Sequence, residues 1–287
     1  VADNILERHH YLLRRLHSLT GVVPIGVFMI IHLTTNSSIV WGLINGSYGD
    51  VHAGAATFQH EVNFIHSLPF LILIEIFGLW LPIAFHSLLG IYYATSGKPN
   101  NAAYKYQANW RYTLQRISGY VGVLFLFYHV ATLRWGWSFL VPGGAKWSAE
   151  HAGSTLALAL QGSAEGMTAG GLIVSAFYML GVSLLVFHLA NGLWTAAITW
   201  GLTITASAQR RWGYACAALG VGLMGAAWAS VIGFATIDPA EARAAEEHVN
   251  WGHAVQSETA EAPDRPGSGD SETAPGTNPS EEVPHDG

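Results

Sequence analysis

Four histidines stand where a histidine is costly. His32 in VFMIIHLTT, His86 in WLPIAFHSLLG, His129 in LFLFYHVATLRW and His188 in SLLVFHLANGLWTAAITWG each interrupt an otherwise apolar run. An imidazole in such a run either hydrogen-bonds to a neighbouring helix or is placed there for chemistry. A lone histidine suits the first reading; one on each of four apolar segments points to the second. Neutral imidazole is a metal ligand, and two imidazoles facing each other across a bundle core make the axial set of a haem iron. Zinc would want four closed ligands, or three and a water, which a pair does not supply. Copper stays open, without an accompanying Cys or Met pattern.

Composition gives the elements that must position these side chains. The 287 residues are 51% hydrophobic and 11% charged, against about a quarter charged in soluble domains. Five segments are long enough to cross about 30 Å of hydrocarbon as helices: Leu19 to Trp41, Leu68 to Ala94, Ile117 to Val141, Gly171 to Gly201 and Gly213 to Ile237. The expected fold is therefore all-α, a membrane bundle of five transmembrane helices, I to V, over residues 1–238. The first apolar run follows a basic amphipathic start and lacks a small-residue cleavage site, so its retention is expected. Arg8, Arg14, Arg15, Lys98, Lys105, Arg111, Arg116, Arg210 and Arg211 gather on one side of the spans. By the positive-inside rule that side is cytoplasmic, with the N-terminus inside and the C-terminus outside. Residues 239–287 are acidic and rich in Pro, Gly and Ser, predict a disordered tail, and supply most of the acidic residues behind the net charge of −6. Cys216 is the single cysteine, so an internal disulfide, an iron–sulfur cluster and c-type haem attachment are all excluded.

Depth sorts the histidines into pairs, because consecutive spans run in opposite directions at about 1.5 Å per residue. Counted from Leu19 and Ile117, His32 and His129 both lie roughly 18–20 Å from the inner surface. Counted from Leu68 and Gly171, His86 and His188 both lie about 26 Å from the outer surface. An outer pair, His32 with His129, and an inner pair, His86 with His188, imply two haems stacked across the membrane. Gly90 and Gly192, each four residues after a histidine, either make room for a macrocycle or let helices pack closely. Pro24 and Pro82 mark kinks.

RRLHSLTGVVPIGVFMIIHL (Arg14 to Leu33), SLPFLILIEIFGLWLPIAFHSLLGIY (Ser67 to Tyr92), LQRISGYVGVLFLFYHVATLRW (Leu114 to Trp135) and FHLANGLWTAAITWGLTIT (Phe187 to Thr205) resemble the di-haem cytochrome b558 membrane anchors of succinate dehydrogenase and fumarate reductase. The resemblance covers about residues 10 to 211 and takes in all four histidines. It implies an anchor subunit of the bacterial cytoplasmic membrane holding two b haems. His86 and His188 would ligate the haem near an iron–sulfur subunit, and His32 and His129 the haem toward the outer face. Its implied partners are that subunit, a flavoprotein subunit, a quinone, most often menaquinone, and membrane lipid, with no nucleic acid. The catalytic reaction would belong to the complex, and this chain would conduct electrons and help form the quinone site.

A quinone taking two electrons also needs two protons, so an ionisable group is expected beside it. Glu61, with His60 and His66 close by in sequence, stands where some fumarate reductases of this resemblance place a quinone-binding glutamate; it also reads as a solvated loop carboxylate. Glu75 falls on nearly the face of His86, eleven residues or about three turns away. It either lines a quinone or proton route or hydrogen-bonds within the bundle. Haem propionates need donors at the inner surface; His17 and Ser18 are candidates, with Arg15 and Arg116 nearby. Val186 stands where some menaquinol-oxidising relatives carry a proton-conducting glutamate, which favours succinate oxidation here. Two other readings remain: a di-haem cytochrome b of a hydrogenase or formate dehydrogenase, and a proton-coupled transporter with a histidine relay. The NGLWTAAITWG and RRLHSLTG stretches weigh against the former, and the pairing at matched depths against the latter.

Overall fold

The computed structural model describes residues 8–45, 53–96 and 107–261. Lys98, Lys105, His52, His285, Arg265 and the acidic stretch from 262 onward lie outside them. Among the described residues, five helical spans are long and apolar enough to cross a membrane: His10–Gly42, Leu71–Ser96, Asn109–Leu133, Ala169–Thr199 and Ala206–Thr236. The chain is a multi-pass membrane protein, and its spans turn large apolar side chains outward, among them Leu88, Leu124, Ile173 and Val221. In water such faces would be aggregation sites; against acyl chains they are the solvated surface.

The first span is two helices, α1 (His10–Val22) and α2 (Pro24–Asn45). Pro24 has no N–H for the helical ladder, so the break falls at Val23, whose own amide still reaches Leu19 at 2.9 Å. A short helix α3 (Ala53–His66) follows, then α4 (Leu71–Ser96), which carries a π-helical turn at Ile76–Trp80 just before Pro82. Helix α5 (Gln107–Leu133) stops eight residues before the expected end at Val141. The chain turns at Gly136, with φ of 67°, and the hydroxyl of Tyr128 donates to the Leu140 carbonyl at 3.0 Å, folding the Trp-rich segment back. Then come α6 (Ala152–Gln161), α7 (Ala169–Thr199) and α8 (Ala206–Thr236). Thr168 and Thr205 cap the last two through their hydroxyl oxygens.

The expectation of disorder from residue 239 is corrected over the described part of that stretch. Pro239–Glu261 forms helix α9, in which Ala242, Ala245, Glu246 and Val249 are buried. Composition misled because the acidic average hides a stripe of small and apolar residues one turn apart. Residues up to Trp251 form one compact unit; of the second, 252–287, only the end of α9 is described.

Helices α3, α6 and α9 make a cap against α2 and α8, through a core that includes Ile39, Phe58, Leu156, Phe234 and Val249. Polar side chains stitch the cap together. Gln59 donates to the Ala149 carbonyl and to Asn63 Oδ1, both at 2.8 Å, and accepts from the Ala152 amide. Asn63 donates to Asn250 Oδ1 at 2.9 Å, and Asn250 donates to the Glu150 carbonyl at 2.7 Å. The Glu246 carboxylate accepts from the Ser154 amide and hydroxyl at 2.7 and 2.6 Å.

Candidate functional site

The four intramembrane histidines come from four spans and meet in two pairs. The rings of His86 on α4 and His188 on α7 have centres 6.1 Å apart and planes at 82°. Those of His32 on α2 and His129 on α5 are 5.8 Å apart at 86°. Two imidazoles on opposite sides of one metal, each about 2 Å from it by a nitrogen, set their ring centres roughly 6 Å apart. Both pairs have that spacing, and among the described residues no three His, Cys, Asp or Glu side chains converge as a larger metal site would need.

Hydrogen bonds prepare one nitrogen of each ring in the first pair. His86 Nδ1 donates to the His17 carbonyl at 2.9 Å. His188 Nδ1 lies 3.1 Å from both the Gln115 carbonyl and the Ser118 hydroxyl. A backbone carbonyl only accepts, so the proton sits on Nδ1 and the lone pair on Nε2 is left for a metal. In the other pair the contacts are longer: Tyr178 OH lies 3.4 Å from His129 Nδ1, and Asn36 Nδ2 3.4 Å from His32 Nδ1.

Two glycines let these rings lie against neighbouring helices. A Cβ on Gly21 would stand 2.5 Å from His86 Cε1, and one on Gly119 would stand 3.1 Å from His188 Cε1. Gly90 and Gly192 do not face the paired rings. Gly90 looks onto His17 Cε1 and Gly192 onto Gln115 Nε2, as glycines at a close helix contact do.

At the His86–His188 end, His17 stacks on His86 with centres 4.0 Å apart. Its Nδ1 and the Nε of Arg15 are buried without a hydrogen-bond partner among the described residues. Arg15 Nε is a donor, and His17 Nδ1 is one when protonated there; an anionic group such as a propionate would satisfy both, and with the ring spacing they make the residues present fit a haem. The Arg15 guanidinium lies over the Tyr11 and Trp200 rings, and that of Arg116 over Tyr112. Ser18 follows His17 on α1.

At the other end, Glu61 on α3 sits beside Thr35 and Ser38 of α2, one turn or so beyond His32. Burial pushes its carboxyl above the usual carboxylate range, and the two hydroxyls pull it part of the way back. Its Oε2 is buried without a hydrogen-bond partner among the described residues. Glu75 instead forms an ion pair with Arg134 at 2.9 Å. The π-helical turn after it adds residues to the winding, so the three-turn register with His86 does not hold. His66 Nδ1 lies 2.9 Å from the Val62 carbonyl within α3. Gln115, Ser118, Asn191 and Tyr178 were missed from sequence; the available signal was Asn191, a polar residue one turn from His188 on the same face.

Comparison with known proteins fits this geometry. The chain is 35% identical over 197 residues to the succinate dehydrogenase cytochrome b558 subunit of Bacillus subtilis (strain 168), a match that takes in 69% of this chain and 83% of that protein. No protein-family model matches the chain, and no solved structure does.

Proposed function

The chain belongs to the succinate dehydrogenase cytochrome b558 subunit family, and from that premise we propose that it anchors a succinate:quinone oxidoreductase in the bacterial cytoplasmic membrane. Its partners there are an iron–sulfur subunit and a flavoprotein subunit, docked on the cytoplasmic side with the N-terminus. His86 and His188 hold one b haem, and His32 and His129 a second. Bound haems supply one-electron carriers between the iron–sulfur partner and a quinone, menaquinone in our reading. The observation that carries the proposal is the pair of imidazole couples from four different spans, at 5.8 and 6.1 Å.

The chain's own side chains then have distinct tasks. The carbonyls of His17 and Gln115 keep the Nδ1 protons of His86 and His188 in place, so that both rings present Nε2. Arg15 and His17, with Ser18 and Arg116 at the same end, receive the propionates. Glu61 offers a proton-holding carboxyl at the end of the His32–His129 pair, where a quinone oxygen needs one. Val186 is buried beside Leu33 and Leu189. It carries no proton, in keeping with succinate oxidation.

The test is the dithionite-reduced minus oxidised visible spectrum of the purified protein, with a pyridine haemochrome assay. The expected result is an α-band near the position in the family name, about 558 nm, and two haems per chain. Folded protein without haem overturns the proposal.

A further inference from the structure

His188 is tethered at more points than a ligand needs. Besides the contacts of its Nδ1 with the Gln115 carbonyl and Ser118 Oγ, its own carbonyl accepts from Gln115 Nε2 at 3.1 Å. Gln115 therefore grips both the ring and the backbone of one residue. The Gln115 side-chain oxygen accepts in turn from Asn191 Nδ2 at 2.7 Å. Asn191 Oδ1 accepts from Arg111 Nε at 2.8 Å, and the Arg111 guanidinium lies 3.8 Å from the centre of the Trp194 ring. Asn191 is 3% exposed and Ser118 fully buried.

The direction of this chain is fixed by chemistry. Arginine only donates, so Asn191 must turn its oxygen to Arg111 and its NH2 to Gln115. Gln115 must then turn its oxygen to Asn191 and its NH2 to the His188 carbonyl. The Ser118 hydroxyl donates to the Gln115 carbonyl at 3.0 Å, which leaves its lone pairs for the His188 Nδ1 proton. One cation thus orients two amides, and they orient one imidazole. The chain lies on one stripe of α5, Arg111, Gln115 and Ser118, at the one-turn spacing that puts residues on a common face.

We propose that Gln115, held by Asn191 and Arg111, is a positioning residue for His188 that sets the ligand plane and, with Ser118, the reduction potential of the iron taken by the His86–His188 pair. This rests on the haem reading above. An imidazole whose Nδ1 proton is shared between two acceptors gains imidazolate character and favours the ferric state, the outer-sphere lever by which proteins tune such iron. The 82° between the two ring planes is the quantity the clamp maintains. Among the described residues, His32 Nδ1 and His129 Nδ1 each have one side-chain partner, at 3.4 Å, so the effect is confined to one haem. Polar glue between α5 and α7 would stabilise the bundle without moving a potential.

The experiment is a redox titration of the visible b bands, with EPR of the ferric haems, on the intact membrane complex. Wild type, Asn191→Leu, Gln115→Met and Ser118→Ala are compared at matched haem content. Both clamp variants are expected to keep two haems and to shift the midpoint and EPR signal of one. Ser118→Ala, which removes a single acceptor, is expected to raise the midpoint of that same haem. If a clamp variant fails to hold haem, Ser118→Ala decides. Unchanged potentials and signals in the haem-retaining variants, or equal shifts of both haems, overturn the proposal alone. A wild-type complex without haem overturns the haem reading and this inference with it.

Discussion

At the scale of single residues, the site is built from what is omitted as much as from what is present. Gly21 leaves room for the His86 ring, and a methyl there would meet Cε1 at 2.5 Å. On the proposed two-haem reading, Gly21→Ala should therefore lower the pyridine haemochrome count from two haems to one, with His32 and His129 unaffected. Glu61 makes a second prediction. Its carboxyl is held above the usual range, so it keeps its proton to higher pH than an ordinary glutamate. On the proposed reading, quinone reduction by the complex should fall as pH rises through the raised range in which this carboxyl loses its proton. Glu61→Gln should cut turnover by about 100-fold, the low end of what a positioned acid contributes, and flatten the pH profile without changing haem content. The histidines themselves were legible because an ionisable group in an apolar run is conspicuous, and depth alone paired them. Gln115 and Asn191 were not, because amides at the end of a span read as interfacial residues until their partners on another helix are seen.

At the scale of elements, five spans were legible from hydropathy, which needs no tertiary information. Their ends were not: the third stops at Leu133 because Gly136 and Tyr128 turn the chain, and neither change is visible in a window average. The α9 helix was hidden by the acidic average of its segment. Its key is Glu246, fully buried, with His151 Nδ1 at 3.7 Å. Burial raises the Glu246 carboxyl above its unfolded value of 4.5, against the pull of the Ser154 hydrogen bonds. A carboxyl raised on folding contributes stability that is fully present below its unfolded value and is lost as pH rises through the folded one. Protection factors in α9, which remove the intrinsic pH dependence of amide exchange, should therefore be higher at pH 5 than at pH 8, and Glu246→Gln should reduce that difference. Glu246→Ala should cost roughly 2–4 kcal/mol, since it strands two Ser154 donors, and the loss should appear as faster exchange in α6 and α9 while the haem spectrum persists.

At the scale of the whole molecule, two histidine pairs at different depths would, as the ligands of two haems, set a direction. If succinate is oxidised on the cytoplasmic side and the quinone lies at the far end, as proposed, charge moves through most of the low-dielectric layer. A full crossing involves about 2.3 kcal/mol per charge per 100 mV. Succinate-to-menaquinone turnover in intact vesicles should therefore slow when an uncoupler collapses the membrane potential. Unchanged turnover would place the quinone at the other end.

The stitched cap carries a consequence for how the protein is made. Asn63 and Asn250 are 187 residues apart in sequence, and α9 leaves the ribosome only after all five spans. The end of the bundle near His32 thus stays open through synthesis, and closes only when α9 joins α3 and α6. Closure of the cap is in effect a completion signal: a chain stalled or cut before Pro239 would still insert its spans, but would show a protease the unsealed faces of Phe58 and Phe234.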